Sequence, residues 1–301
     1  MYDVIIAGAG PAGLTAGIYA ARGGLSALVL ERAFAGGQMA ISHTIENYPG
    51  FDSDVPGALL ANNMHVQAEK MGAQIITEAI TAFELEDDIK RVTTKTQTYE
   101  GKTVILAMGA EPRKLGIKGE ETFIGSGVSF CATCDGAFFR DRDVAVIGGG
   151  NTAVEDALYL AKFCPKVYLI HRRDVFRAQH ALLRSAQETE NIIMMTDTIP
   201  IEVSGEFSVS NLQVENVRTH EKQDLAVSGV FVAVGQVPLT QLVQGQVDLD
   251  AAGYIVSGED CTTNLPGVFC AGDIRTKMLR QIVTATADGA VAATQVERNF
   301  M

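Results

Sequence analysis

The sequence predicts an α/β fold in which one βαβ-based domain is inserted into another of the same plan. Three observations carry it. An apolar run leading into a glycine turn occurs twice, at residues 3–7 with Gly8-Ala-Gly-Pro-Ala-Gly13, and at residues 143–147 with Gly148-Gly-Gly-Asn-Thr-Ala153. Each turn opens a helical stretch and then a second apolar run, the order of a βαβ unit. The tail repeats a buried-strand pattern at 268–273 and a helical one at 281–298, but has no glycine fingerprint of its own.

The elements follow in order. Residues 14–22 read as a helix and 27–31 as a strand ending in Glu31. A further helical stretch, an alternating segment at 91–99 and an apolar strand at 103–107 lead to Gly109-Ala-Glu-Pro112. The second copy has a helix at 154–163, a strand ending in His171, an alternating segment at 212–218 and an apolar strand at 230–234 that leads to Gly235-Gln-Val-Pro238. The copies lie about 140 residues apart, far beyond the ~20–50 of repeat arrays. The expectation is two Rossmann-like, three-layer ββα nucleotide-binding domains. The tail completes the first, which takes residues 1–113 and 241–301, and the inserted domain takes 114–240.

Composition narrows the class. With 301 residues, 47% hydrophobic and 20% charged, the chain reads as soluble and globular. A net charge of −12 argues against nucleic acid or an anionic membrane as partner. No run approaches the roughly 18 apolar residues of a membrane span, and no basic region precedes the first apolar run. Five cysteines, at 131, 134, 164, 261 and 270, are odd in number and mostly isolated. A reducing cytoplasm is the expected compartment.

Both glycine loops follow a strand and open a helix, the context that gives a weak motif its meaning. There the backbone turns tightly against a pyrophosphate held at a helix N-terminus. The first unit's Glu31 suits two ribose hydroxyls and repels a 2′-phosphate, so this site takes FAD or NAD. The second unit ends in His171-Arg172-Arg173, with Arg177 one turn further on. Guanidinium groups grip a 2′-phosphate, which reads as NADPH. Asp273, at a strand end, suits either a flavin's ribityl chain or a plain helix N-cap.

Cys131-Ala-Thr-Cys134 is followed at once by Asp135. A zinc half-site lacks further ligands: Cys164, Cys261 and Cys270 are single, and His43, His65, His171, His180 and His220 form no paired motif. The reading that remains is a redox disulfide with a thiolate of lowered pKa, weighed against an inert pair. Asp135 is either a proton carrier beside it or a turn residue.

On these motifs, with Gly36-Gly-Gln38, Glu46-Asn-Tyr-Pro-Gly-Phe51, His171-Arg-Arg-Asp-Val-Phe-Arg177, Ala271-Gly-Asp273 and Arg280-Gln-Ile282, the chain resembles the low-molecular-weight thioredoxin reductase family over essentially its whole length. The resemblance implies FAD at the first site, held by Gly8, Gly10, Pro11, Ala12, Gly13, Glu31 and Gly109. Gly37, Gln38 and Asn47 would line the flavin, Asp273 its ribityl chain, and Arg280, Gln281 and Ile282 its pyrimidine edge. It implies NADPH at Gly148, Gly150, Asn151, Thr152, Ala153, His171, Arg172, Arg173 and Arg177. Cys134 would lie against the flavin, Cys131 would attack the disulfide of thioredoxin, and Asp135 would be the acid/base. A cytoplasmic homodimer and an alternating rotation of the inserted domain are further implications. A dithiol oxidase and a ferredoxin-linked reductase of the same fold are the alternatives. The segment Arg275-Thr-Lys-Met-Leu279 is read as variable and as deciding nothing.

Overall fold

The computed structural model describes residues 1–42 and 44–300, the side chain of Phe300 excepted; His43 lies outside them. The first unit opens with β1 (Tyr2–Ala7), α1 (Pro11–Arg22) and β2 (Ala27–Glu31). Then come α2 (Gly57–Met71), β3 (Gln74–Thr77), β4 (Ile80–Glu84), β5 (Lys90–Thr94) and β6 (Thr98–Leu106). After β7 (Ala110–Pro112) the second unit carries β8 (Val128–Ser129), α3 (Ala132–Asp135), β9 (Val144–Ile147), α4 (Asn151–Leu160), β10 (Val167–Ile170) and α5 (His180–Glu188). It continues with β11 (Ile192–Met195), β12 (Thr198–Gly205), β13 (Val209–Asn216), β14 (Lys222–Leu225) and β15 (Gly229–Val232). The chain returns through β16 (Gln236–Pro238) to β17 (Val268–Cys270) and α6 (Ile282–Phe300).

Two compact units result, one of residues Met1–Glu111 and the chain from Val237 onward, the other Pro112–Gln236. The division falls a few residues before the expected 113/114 and 240/241, because the crossings are themselves strands. β7 and β16 pair, and backbone bonds Arg113 N–H to Gly235 O and Leu239 N–H to Gly109 O, 3.0 Å each, flank them.

In the first unit the sheet runs β3-β2-β1-β6-β5-β4, with β17 also on β6. β6 does two jobs. Residues 98–101 pair antiparallel with β5, while 101–106 pair parallel with β1, and 104–106 with β17 on the other side. The segments read separately at 91–99 and 103–107 are therefore β5, a turn and one long strand. Alternation along β1 and β2 sorts side chains to two cores. Val4, Ile6 and Val29 meet α1, α2 and α6, whereas Ile5, Leu28 and Leu30 meet β5 and residues 243–274.

The second unit repeats the plan. Its parallel sheet runs β11-β10-β9-β15-β8, and β12-β13-β14 form a separate antiparallel sheet. Val144 and Val146 pack with α4 and α5, while Ala145 and Ile147 pack toward Val203, Leu212 and Val214 of the meander. α4 begins and ends three residues earlier than the 154–163 reading. It starts as soon as the glycine turn ends, as α1 does with Pro11 at its first turn.

Candidate functional sites

In the first unit, β1 delivers the chain to Gly8 at φ 102°, where an added Cβ would lie 2.5 Å from Ala107 O. Only glycine lets this loop lie against the end of β6. Gly8 N–H donates to Leu30 O, and Ala9 N–H donates to Glu31 Oε2 at 2.8 Å. Glu31 Oε1 accepts from Ala33 N–H at 3.3 Å. The carboxylate thus clasps the loop from the end of β2. An added Cβ on Gly10 would meet nothing within 4 Å, so this face of the loop is open. Gly36 N–H donates to Ala9 O at 2.7 Å, bringing Gly37 and Gln38 to the loop.

Residues far apart in sequence join this site. Asn47 Nδ2 donates to Gln281 Oε1 at 3.0 Å. Asp273 follows β17, and Gly272 packs on Ala12 of α1. Burial raises the Asp273 carboxyl above the ordinary range, opposed by Lys277 and Arg280. Its Oδ1 is buried with no hydrogen-bond partner. Arg280 lies over the Tyr254 ring at 3.9 Å and faces the Asp273 and Arg275 carbonyl oxygens.

In the second unit, an added Cβ on Gly148 would lie 2.4 Å from Ala233 O, the counterpart of Gly8 and Ala107. An added Cβ on Gly149 would lie 2.2 Å from the His171 ring, so the imidazole supports the loop from beneath. His171 is buried, stacks near Phe176, and its Nε2 lacks a partner. Burial and then Arg177 push it below its ordinary pKa, so it is neutral at pH 7.

Residues 171–179 form a loop, so Arg177 does not follow by a helical turn. Hydrogen bonds instead bind this loop to the glycine turn: Arg177 N–H to Gly149 O at 2.7 Å and Gln179 N–H to Asn151 Oδ1 at 2.9 Å. Arg172, Arg173 and Arg177 are exposed, and among the described residues none has a carboxylate in ion-pair range. Thr152 is exposed and Ala153 buried against β9.

Cys131 and Cys134 form a disulfide at the start of α3, with Cα atoms 5.3 Å apart. Both are partly exposed. Ser129, the last residue of β8, organises the site. Its hydroxyl donates to Asp135 Oδ2 at 2.5 Å and accepts from Cys131 N–H at 3.1 Å. The three other cysteines are buried thiols, pushed up to about 11 for Cys164 and Cys270 and about 12 for Cys261, burial being the main cause in each. They are poor thiolates at neutral pH.

Two features escaped sequence reasoning. Ser129 carries no motif of its own. The segment 275–279 carries a second: Arg275 heads the fully buried side chains by size and is bound to Asp288 of α6.

Both sites fit a dinucleotide. Each has an open glycine turn on a helix N-terminus and a buried polar atom, Asp273 Oδ1 or His171 Nε2, without a protein partner. Comparison with known proteins agrees. Residues 2–289 match the pyridine nucleotide-disulphide oxidoreductase family. A thioredoxin reductase of Treponema pallidum is 45% identical over 292 residues, 97% of this chain and 95% of that protein. One from Mycolicibacterium smegmatis is 45% identical over 299 residues, 99% and 96% of the two chains. The crystal structure of thioredoxin reductase from Streptococcus pyogenes superimposes with a TM-score of 0.93 at 45% identity, covering 99% of this chain and 97% of that one.

Proposed function

Because the chain belongs to the pyridine nucleotide-disulphide oxidoreductase family, in its low-molecular-weight thioredoxin reductase branch, we propose that it carries electrons from NADPH through FAD to the Cys131–Cys134 disulfide, and from there to the disulfide of a thioredoxin. The observation that carries this reading is that disulfide, set beside Asp135 in the same compact unit as the second glycine loop.

FAD, when bound, supplies a two-electron relay between a hydride donor and a disulfide. Gly8, Gly10, Pro11, Ala12 and Gly13 would hold its diphosphate and Glu31 its adenosine ribose. Gly37, Gln38, Asn47, Gly109, Asp273, Arg280, Gln281 and Ile282 would hold the flavin half. Gly148, Gly150, Asn151, Thr152 and Ala153 would hold NADPH, with His171 beneath the loop and Arg172, Arg173 and Arg177 on the 2′-phosphate.

Reduction of Cys131–Cys134 breaks one S–S bond and takes up two electrons and two protons, leaving a dithiol. Asp135, steadied by Ser129, carries a proton at Oδ1 or Oδ2 between solvent and the sulfurs. The Cys131 thiolate attacks one sulfur of the substrate disulfide. A Cys131–substrate bond forms, and the other substrate sulfur leaves and is protonated. Cys134 then attacks the Cys131 sulfur, which restores the internal disulfide and releases the second substrate thiol. Electrons and protons balance: in each cycle the internal disulfide is reduced and re-formed, and the net change is one substrate disulfide reduced to two thiols by the two electrons and two protons taken up. Among the described residues no helix is long and apolar enough to cross a membrane, and the same reading places a homodimer in the cytoplasm.

An anaerobic titration tests the proposal. NADPH is expected to bleach the flavin, and adding oxidised thioredoxin to restore it, with NADH much slower. Bleaching by reduced ferredoxin but not by NADPH would overturn the nucleotide assignment, and thiol-driven peroxide release would point to an oxidase.

A further inference from the structure

The largest of the fully buried side chains is a cation. Arg275 is 2% exposed, and its Nε and a terminal nitrogen donate to the two oxygens of Asp288 at 2.8 and 2.7 Å. Lys277 Nζ donates to Asp288 Oδ2 at 2.7 Å, and so does Gly272 N–H at 2.9 Å. One carboxylate therefore joins the end of β17, the loop after it and α6. These four bonds overcome the burial that opposes its charge and hold the Asp288 carboxyl below the usual carboxylate range.

The charges here do not cancel. Arg275 and Lys277, both buried, share the single carboxylate of Asp288. Glu259, 3.8 Å from Arg275 but 98% exposed, offsets little of this. A buried charge left uncompensated is costly. Gly272 and Gly289 carry the group onto the first glycine loop's helix: an added Cβ on Gly272 would lie 2.9 Å from Ala12 Cβ, and one on Gly289 2.2 Å from Ala12 O. The excess positive charge thus sits behind the helix start that would face a bound dinucleotide's diphosphate, next to the unpartnered Asp273 Oδ1.

We propose that Asp288, Arg275 and Lys277 form a positioning device for the flavin dinucleotide. Asp288 pins residues 272–281, which present Asp273, Arg280 and Gln281, and Lys277 supplies the positive charge that the anionic cofactor balances. This rests on the reading of the first unit as the FAD site. Lys277 also donates to Thr284 O at 3.2 Å, so it ties the loop to the first turn of α6. Removing it leaves the Arg275–Asp288 fork in place and the core filled.

The test measures FAD release from the full-chain holoprotein by recovery of flavin fluorescence on dilution, at low and high salt. It compares the parent, Lys277→Met, Lys277→Arg and Asp288→Asn. Lys277→Met is expected to raise the FAD dissociation constant about tenfold, the scale of one charged contact. It should also flatten the constant's salt dependence while the holoprotein's melting midpoint at saturating FAD stays within a few degrees. Lys277→Arg should restore affinity and salt dependence, and Asp288→Asn should lose more than Lys277→Met. Should Asp288→Asn fail to fold, the two Lys277 variants decide. A dissociation constant within twofold of the parent for Lys277→Met, with the same salt slope, overturns the proposal, as does equal weakness of the Met and Arg variants. A parent that holds no FAD overturns the FAD reading itself, and this proposal with it.

Discussion

The two glycine-loop units share a backbone and differ in what lies at the end of the second strand. In the first, the Glu31 carboxylate clasps the loop through Ala9 N–H and Ala33 N–H. In the second, the buried, neutral His171 ring supports the loop while three exposed arginines follow it. The lesson is that loop support and nucleotide choice are separable. On the proposed reading one residue would do both in the first unit, whereas in the second the imidazole supports the loop and the guanidinium groups would make the selection. Among the described residues only the second unit also carries a disulfide.

That last asymmetry yields the largest expected effect. Cys131→Ser should lower thioredoxin reduction by about three orders of magnitude or more, while NADPH still bleaches the flavin. Steady-state and anaerobic absorbance assays read the two halves, and loss of bleaching would show that the division of labour is wrong. Next, Arg173→Ala or Arg177→Ala should lower kcat/KM for NADPH by about 10–100-fold, the worth of a charged hydrogen bond. NADH turnover should be unchanged. An equal loss with both nucleotides would mean that these arginines support the loop.

Glu31→Gln tests the first unit in the same way. It keeps the shape but leaves one acceptor oxygen for two backbone N–H donors, so FAD should bind about tenfold more weakly with KM for NADPH unaltered. Fluorescence of released flavin measures it. The smallest effect compares the helices. Aligning Gly8 with Gly148 sets Asp156 of α4 where α1 has the buried Ala16. Burial, then Glu155, raises the Asp156 carboxyl from 3.8 to about 7. The unfolded chain releases that proton first, so stability falls as pH rises from about 4 to about 7. Asp156→Asn should be nearly neutral below pH 4 and stabilising by about 1–4 kcal/mol at pH 8. Thermal melts at both pH values check the sign.

Legibility followed distance along the chain. The glycine loops, Glu31, the arginine run and Cys131–Cys134 lie within single turns or strand ends, so order and residue type reveal them. Ser129 stayed hidden because a serine six residues before Asp135 has no meaning until α3 folds back on β8. The Asn47–Gln281 bond spans 234 positions. Arg275 and Lys277 carry no signal of burial in the sequence, because that burial depends on α6 bringing Asp288 to them.

By itself the sequence determined the doubled α/β plan, the order of insertion, the charge at each second-strand end and the dithiol. Local periodicity and the chemistry of neighbouring side chains suffice for these. Only the tertiary structure decided that β6 serves two partners, that His171 lies neutral beneath its loop, that Ser129 holds Asp135 and that one carboxylate gathers two buried cations behind the first loop. Each of these rests on what burial removes from water, and burial is set by packing between distant segments.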